Sequence, residues 1–133
     1  MSTPIQHIRP ATILVVENEV SNRLLIERVL STRGYRCLSA SNGREALEVL
    51  DREPVDLILT DLSMPVLDGY RATQLIRARP GLANVPIVAV TAFALSDEGE
   101  AARQIGCTEY LTKPFKPRQL LEVVDRLLQK ETS

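Results

Sequence analysis

The chain has 133 residues, of which 44% are apolar and 25% are charged, as expected for one globular domain with a single core. A formal net charge of −1 at pH 7 gives no electrostatic case for binding nucleic acid or an anionic membrane. No apolar run approaches the roughly 18 residues of a membrane-spanning helix, and residues 1–10 lack the apolar centre of a secretory signal. We therefore expect a disordered lead-in over residues 1–10 and a cytoplasmic domain over residues 11–131.

Short apolar runs alternate with helical patterns along the chain. Strands are predicted where an apolar run is bounded by turn residues, at 12–16, 36–40, 55–60, 86–91 and 108–112. Helices are predicted where apolar residues recur at helical spacing, at 20–33, 42–51, 70–79 and 117–130. A further helix is predicted at 96–105, from Ser96 at its start and Gly106 after its end, although this segment has few large apolar residues. Five β–α units in succession predict a parallel sheet with helices on both faces.

The helices carry signals for their ends and for their inward faces. Asn42, with Glu45 three residues later, predicts an N-cap for the second helix, and Gly34 is placed as the C′ residue of the first. In the first helix, the residues that fall on one face and that we expect to pack on the core are Val20, Leu24, Leu25, Val29 and Leu30. In the third and last helices, the corresponding residues are Ala72, Leu75 and Ile76, then Leu120, Val124, Leu127 and Leu128.

Two smaller groups of residues have structural interpretations. Cys37 and Cys107 lie far apart and match no metal-binding spacing, which favours buried free thiols over a disulfide or zinc site. Arg71, Arg77 and Arg79 form a small basic cluster, which we interpret as a solvated helix face rather than a partner site.

Polar side chains stand at the carboxyl ends of four of the five predicted strands. Glu17 and Asn18 follow the first strand, and Asp61 follows the third. Thr91 ends the fourth strand, and Lys113 follows the fifth. Because the carboxyl ends of parallel strands meet at the edge where open α/β sheets bind ligands, we expect these side chains to share one pocket.

The residue types at this edge suit phosphoryl chemistry. Oxygen atoms of Glu17, Asn18 and Asp61 suit Mg²⁺, which takes a few carboxylates and keeps several waters. A carboxylate beside that ion can attack a phosphoryl group and form an acyl phosphate, and Asp61 is the only one of these strand-end residues on the central strand. The Thr91 hydroxyl and the Lys113 ammonium could each stabilise a phosphoryl oxygen. We therefore predict that Asp61 is the nucleophile of a phosphoacceptor site.

Four stretches together resemble the receiver domains of the CheY-like response-regulator family: ILVVENE, DLILTDLSMPVLDG, PIVAVTA and EYLTKPF. The resemblance covers about residues 10 to 130, and PIVAVTAFAL makes it closest to stand-alone, DivK-type single-domain regulators. It implies a flavodoxin-like α/β fold with a five-stranded parallel sheet in the order 2-1-3-4-5. It also implies a two-component phosphorelay, in which a sensor histidine kinase or a histidine phosphotransfer protein supplies the phosphoryl group.

The resemblance implies a role for each residue that matches the family pattern. Asp61 would be the phosphoacceptor. Mg²⁺ would be held by Glu17, Asn18, Asp61 and the backbone carbonyl of Ser63. The Ser63 side chain would also tune the lifetime of the phosphate.

Further roles fall on the fourth and fifth strands. Thr91 would bind the phosphoryl group and move toward it, and Phe93 would tune its lifetime. Lys113 would pair with the phosphoryl group, and its bond to Pro114 would be cis. Tyr110 would be the rotating aromatic switch, with a core aromatic at a strand edge as the alternative interpretation.

The implied output is contact between proteins. Phosphorylation would shift the surface formed by the predicted helix 96–105, the strand 108–112 and the last helix, and so change the binding of a downstream target. The domain would turn over no free metabolite. The reactions that it would catalyse are its own phosphorylation and dephosphorylation. We expect a monomer or a weak homodimer.

Asn18 departs from the family, which carries a second acid at this position. The site loses one negative charge, so we predict weaker binding of Mg²⁺. A substitute carboxylate from Glu19 is one alternative. Another is a receiver-like module that signals by binding without being phosphorylated.

Other classes of function fit the sequence less well. A phosphatase with an aspartyl nucleophile would need a second acid at position 63, which is Ser63. A flavin or dinucleotide binder would need glycines after the first strand, and ENEVSN has none. A transcription factor would need a DNA-binding domain. A receiver cut from a longer hybrid kinase stays open.

Overall fold

A computed structural model of the chain describes residues 10–62, 69–91 and 106–132. Its strands are β1 (Thr12–Val16), β2 (Arg36–Ala40), β3 (Leu57–Asp61), β4 (Ile87–Thr91) and β5 (Glu109–Thr112). Its helices are α1 (Val20–Ser31), α2 (Gly43–Arg52), α3 (Gly69–Arg77) and α4 (Pro117–Thr132). The strands form one parallel sheet in the order β2-β1-β3-β4-β5. The predicted fold class and strand order are confirmed, while the helix predicted at 96–105 lies outside the described residues.

The ends of α1 and α2 show how local sequence fixes helix boundaries. For α2 the predicted cap is confirmed, because Asn42 Oδ1 accepts a hydrogen bond from the Glu45 amide at 2.9 Å. For α1 the predicted helix end was one residue too late. Thr32 is the C-cap residue, so Gly34, with a φ of 81°, lies at C″ rather than C′. The amides of residues 32–34 donate to carbonyls three residues back, and this tight last turn delays the left-handed residue.

The sheet separates two apolar layers. The layer under α1 and α4 contains alternate strand residues, with Ile13, Val15, Leu57, Leu59, Val88 and Val90 all buried. The layer under α2 and α3 contains their neighbours in the strands, with Leu14, Val16, Ile58 and Ile87 buried. This two-residue alternation puts both faces of every central strand in the core, as the continuous apolar runs predicted.

Helix α4 packs as its spacing predicted. Leu120, Val124, Leu127 and Leu128 are all buried in the layer shared with α1. Its polar face is joined to the corner between α1 and β2. There the Tyr35 hydroxyl donates to Asp125, and Arg33 lies 3.4 Å from the same carboxylate.

Helix α1 packs only partly as predicted, because Leu30 is buried and Val29 packs against the core, but the other three predicted residues are largely exposed. Val20, Leu24 and Leu25 are 54%, 57% and 58% exposed, whereas Ile26 and Leu30 are buried. Apolar residues surround most of this helix, so spacing alone left several faces able to pack on the sheet. The face carrying Ile26 and Leu30 is the one that meets the core, and the first two turns of α1 present large apolar side chains at the surface.

Arg77 is part of a backbone clamp rather than a solvated helix face. Its Nε donates to the Gly106 carbonyl at 2.9 Å, and its guanidinium donates to the carbonyls of Leu82 and Val85 at 3.0 and 2.5 Å. A Cβ added at Gly106 would lie 3.1 Å from Arg77 Cγ, so glycine permits this close approach. The clamp joins α3 to the segments that lead into β4 and β5.

Candidate functional site

Strand register brings the predicted site residues to one edge of the sheet. Val16 of β1 is opposite Thr60 of β3, so Glu17 and Asp61 are the next residues on neighbouring strands. Thr91 ends β4, one residue after the partner of Asp61. The Lys113 amide then donates to the Thr91 carbonyl at 2.8 Å, which carries Lys113 from the end of β5 to the same edge.

Glu17, Asp61 and Lys113 form a partly buried charge cluster. The carboxylates of Glu17 and Asp61 are buried, with side chains 4% and 7% exposed, whereas Lys113 is 34% exposed. Lys113 Nζ lies 2.9 Å from Asp61 Oδ2 and 3.9 Å from Glu17 Oε1. Burying two carboxylates beside one ammonium costs free energy that a structural role would not require. The arrangement therefore makes this edge of the sheet the candidate functional site.

The electrostatics of Glu17 reflect this crowding. Burial raises the pKa of its carboxyl, and the nearby charge of Asp61 raises it further. The Glu19 amide and the Lys113 ammonium act in the opposite direction, but the net pKa is above the usual value. A cation placed between the two carboxylates would relieve their repulsion.

The turn between β1 and α1 is held by its own side chains. Glu17 Oε2 accepts a hydrogen bond from the Glu19 amide at 3.0 Å. Glu19 is the N-cap of α1, and its Oε1 accepts from the Asn22 amide at 3.1 Å. The Arg23 guanidinium donates to the Glu17 carbonyl at 2.8 Å. Between them, Asn18 is exposed at the edge of the site.

The remaining predicted site residues have different outcomes. Thr91 is buried at the end of β4, and Tyr110 of β5 is half-buried against Leu62 and Ala89. The bond between Lys113 and Pro114 is cis, as the resemblance implied. Ser63 and Phe93 lie outside the described residues. The switch and tuning roles of all these residues stay predictions.

A comparison with known families identifies the family of the chain that carries this site. The profile of the response regulator receiver domain family matches residues 13–125 of the chain. The chain belongs to the response regulator receiver domain family. This receiver therefore joins a family of signalling modules rather than of metabolic enzymes.

Relatives of this receiver occur both as small regulators and within larger kinases. It is 32% identical to the polar-differentiation response regulator DivK of Brucella anthropi, over 90% of this chain and 97% of DivK. It is 41% identical to the sensor histidine kinase GacS of Pseudomonas protegens, over 87% of this chain and 13% of GacS. The receiver thus spans about an eighth of the length of that kinase, and nearly the whole of DivK.

Solved structures give the same fold. The receiver domain of the sensor histidine kinase PA1611 from Pseudomonas aeruginosa PAO1 superposes with a TM-score of 0.84 at 40% identity, over 90% of this chain and 98% of that one. That structure has a magnesium ion coordinated in its active site cleft. The chemotaxis response regulator CheY4 of Vibrio cholerae superposes with a TM-score of 0.86 at 30% identity, over 90% and 99% of the two chains.

The donor set of this receiver fits a hard divalent ion. Glu17 and Asp61 offer buried carboxylate oxygens that already face a cation, the Lys113 ammonium. Asn18, which is exposed and next to Glu17 in the chain, carries an amide oxygen. Mg²⁺ is typically held by one or two carboxylates and keeps several waters, so two acids are sufficient.

Reasoning from sequence missed a cleft beside the charge cluster. It has a volume of about 500 Å³, and its lining residues are Glu17, Asn22, Leu25, Ile26, Lys113, Pro114 and Phe115. Leu25 therefore belongs both to this cleft and to the exposed apolar surface of α1, which Val20 and Leu24 extend. The signal in the sequence was the excess of apolar residues in α1, more than one buried face requires.

Among the described residues, no helix has the length and apolarity that crossing a membrane requires.

Proposed function

We propose that the protein is a phosphoacceptor receiver, in which Asp61 takes a phosphoryl group from a phosphohistidine on a sensor histidine kinase or a histidine phosphotransfer protein. The observation that carries this proposal is the buried Asp61 carboxylate, 2.9 Å from Lys113 Nζ and beside Glu17 at the carboxyl edge of the sheet. A phosphoryl group joined to Asp61 would meet the same ammonium that now pairs with the carboxylate.

The proposed chemistry is a transfer between two protein side chains. An Asp61 carboxylate oxygen attacks the phosphorus atom, the phosphorus–nitrogen bond to the donor histidine breaks, and an acyl phosphate forms. The imidazole keeps the electron pair of the broken bond and takes up a proton from solvent. Lys113 pairs with one phosphoryl oxygen, and the Thr91 hydroxyl donates to another. Attack by water on the same phosphorus later breaks its bond to the Asp61 oxygen, releases inorganic phosphate and returns Asp61 to a carboxylate.

Mg²⁺ belongs to the proposed site. Glu17, Asp61, Asn18 and the backbone carbonyl of Ser63 would hold the ion. When bound, it would neutralise negative charge on the phosphoryl oxygens. The support is the fit of the donor set, together with the magnesium in the cleft of the related PA1611 receiver.

The protein that donates the phosphoryl group would pack on α1. Leu25 lines the cleft that reaches Glu17 and Lys113, and Val20 and Leu24 lie exposed on the same helix. A donor that brings its histidine to Asp61 must cover the surface around the carboxyl edge. Exposed leucines there would be buried in the complex, which favours association by roughly 25 cal/mol per Å² of apolar surface.

The proposed output is a change in protein binding. Phosphate at Asp61 would draw Thr91 inward and let Tyr110 rotate, so that a downstream target binds one of two states of this surface. Both cysteines are free thiols, which supports a reducing, cytoplasmic location.

The test is intact-mass spectrometry after incubation with acetyl phosphate, with and without excess Mg²⁺. We expect an Mg²⁺-dependent phosphoryl adduct on the wild type and none on Asp61→Asn. Asp56→Asn, which makes the same change just before the other end of β3, is the matched control and should be labelled normally. An adduct that persists on Asp61→Asn would rule out Asp61 as the acceptor.

A second candidate function follows from Asn18. A receiver whose ion site lacks one acid could signal by binding alone, with its phosphoacceptor unused. Folded wild-type protein that forms no adduct with acetyl phosphate at saturating Mg²⁺ would favour this binding-only module.

A further inference from the structure

Among the described residues, the carboxyl edge holds two buried carboxylates beside one ammonium. Lys113 Nζ lies 2.9 Å from Asp61 and 3.9 Å from Glu17, so the three groups sum to a formal charge of −1. In the part of the chain that the structure describes, no group of three or more His, Cys, Asp or Glu side chains could hold a metal ion. A divalent ion at this edge is therefore attracted by less negative charge than an acid at position 18 would provide.

Glu19 is the next acid along the chain after Glu17, and its carboxylate already has a structural role. Its Oε1 accepts the Asn22 amide at 3.1 Å as the N-cap of α1. Its own amide donates to Glu17 Oε2 at 3.0 Å, which fixes the orientation of the Glu17 carboxylate. Moving the Glu19 side chain into the site would take its cap from α1, and moving its backbone would release Glu17.

We propose that this receiver binds Mg²⁺ weakly, because Asn18 supplies an uncharged oxygen and the cap on α1 keeps Glu19 out of the site. The inference rests on the proposed function, which assigns Mg²⁺ to this edge. As a consequence, a higher concentration of free Mg²⁺ is needed to saturate the phosphorylation of Asp61 than in a receiver with an acid at position 18. The identity of one side chain thus sets the ion concentration at which the switch can be charged.

The experiment measures Mg²⁺ binding directly, without any phosphodonor. Mg²⁺ is titrated into ¹⁵N-labelled protein, and backbone amide shifts give the Kd for wild type, Asn18→Asp and Glu19→Gln. Asn18→Asp should lower the Kd about tenfold, since it adds one charge within a few ångströms of a divalent ion. Glu19→Gln keeps an oxygen acceptor for the α1 cap, and its Kd should stay within about twofold of that of the wild type. Glu27→Gln, elsewhere on α1, is the control for removing one negative charge.

Two results would overturn the inference. The first is an Asn18→Asp variant that binds Mg²⁺ no more tightly than the wild type, including the case in which neither binds. The second is a Glu19→Gln variant that binds several-fold more weakly than Glu27→Gln, since Glu19 would then be a ligand.

The acetyl phosphate experiment separates this failure from failure of the proposed function. An adduct on Asp61 with no change in Kd for Asn18→Asp would overturn the weak-ion inference alone. Absence of the adduct in both the wild type and folded Asn18→Asp, at Mg²⁺ concentrations well above the measured Kd values, would overturn the proposed function, whatever the two Kd values are.

Discussion

Asp56 and Asp61 lie at opposite ends of the same strand and serve opposite purposes. At the amino end, half-buried Asp56 accepts a hydrogen bond from the Thr12 amide at 2.7 Å, and its own amide donates back to the Thr12 carbonyl at 2.8 Å. At the carboxyl end, the more deeply buried Asp61 lies beside Glu17, another carboxylate. The charge at the amino edge stabilises the backbone through hydrogen bonds. At the carboxyl edge, two like charges lie close together, which lowers the stability of the fold.

The Arg77 clamp lies at the amino end of the strands, where charges stabilise the backbone. Its hydrogen bonds to the carbonyls of Gly106, Leu82 and Val85 join loops that precede β4 and β5. Lys113, at the other end, faces two carboxylates and is one-third exposed, so that its partner can change. This difference indicates how the two kinds of buried charge can be told apart. A buried charge whose partners are backbone groups is structural, whereas a buried charge among side chains whose charges do not balance indicates a functional site.

The largest expected effect on stability comes from breaking the clamp. Arg77→Met should lower the free energy of unfolding by about 3 kcal/mol, because three partly buried carbonyls lose a charged donor. Urea unfolding followed by circular dichroism measures this loss. Arg79→Met, which removes an exposed ion pair with Asp51, is the control and should cost less than about 1 kcal/mol. Equal costs for the two variants would contradict the clamp.

The apolar surface at the carboxyl edge predicts a kinetic effect. Leu24→Glu combined with Leu25→Glu should slow transfer from a phosphorylated histidine phosphotransfer domain at least about tenfold, which is roughly 1.4 kcal/mol. Phosphorylation by acetyl phosphate should be unchanged, because a small donor needs no docking surface. Arg28→Glu, on the last turn of α1, controls for added negative charge. A double variant that slows both donors equally would place the defect in the site itself.

The two aspartates allow a paired test of stability. Asp56→Ala should cost about 1 kcal/mol, since the half-buried Thr12 amide loses its side-chain acceptor. Asp61→Ala should cost nothing or stabilise the protein, because it relieves Glu17 of a neighbouring charge. The measurement is the urea midpoint of each variant in Mg²⁺-free buffer. A larger loss for Asp61→Ala than for Asp56→Ala would reverse the comparison.

The smallest expected effect concerns Glu17. Because its pKa is raised in the folded protein, ionised Glu17 opposes folding at neutral pH, and this cost disappears as the pH falls below the unfolded pKa of about 4.5. Glu17→Gln should therefore stabilise the metal-free protein at pH 7 by less than about 1 kcal/mol, with no gain near pH 4. Thermal unfolding at both pH values in EDTA measures the difference. A gain that grows toward acid pH would contradict the assigned sign.

Much of this architecture could be predicted from the sequence, because its signals are either local in the chain or supplied by the resemblance to the receiver family. The continuous apolar runs predicted the strands, and the resemblance supplied their order. Parallel strands then brought Glu17, Asp61 and Lys113 to one edge without knowledge of any long-range contact. The N-cap at Asn42 was also predicted, since an N-cap depends on residues within one turn.

The failures depend on long-range packing. Spacing identified α1 as a helix but not which side of it meets the sheet, since Leu24 and Leu25 satisfy helical spacing as well as Ile26 does. Arg77 was grouped with surface arginines, because its carbonyl partners belong to loops up to 29 residues away. Nothing local distinguishes an arginine that clamps backbone from one that points into solvent.

The two apolar layers have a consequence for how the chain folds as it is synthesised. Among the described residues, every buried member of the layer under α2 and α3 precedes residue 92, so this part of the layer can close while the rest of the chain is still being made. The layer under α1 must wait for Leu120, Val124, Leu127 and Leu128 of α4. Until those residues leave the ribosome, one face of β1 and β3 stays open, and chaperones have a defined surface to protect.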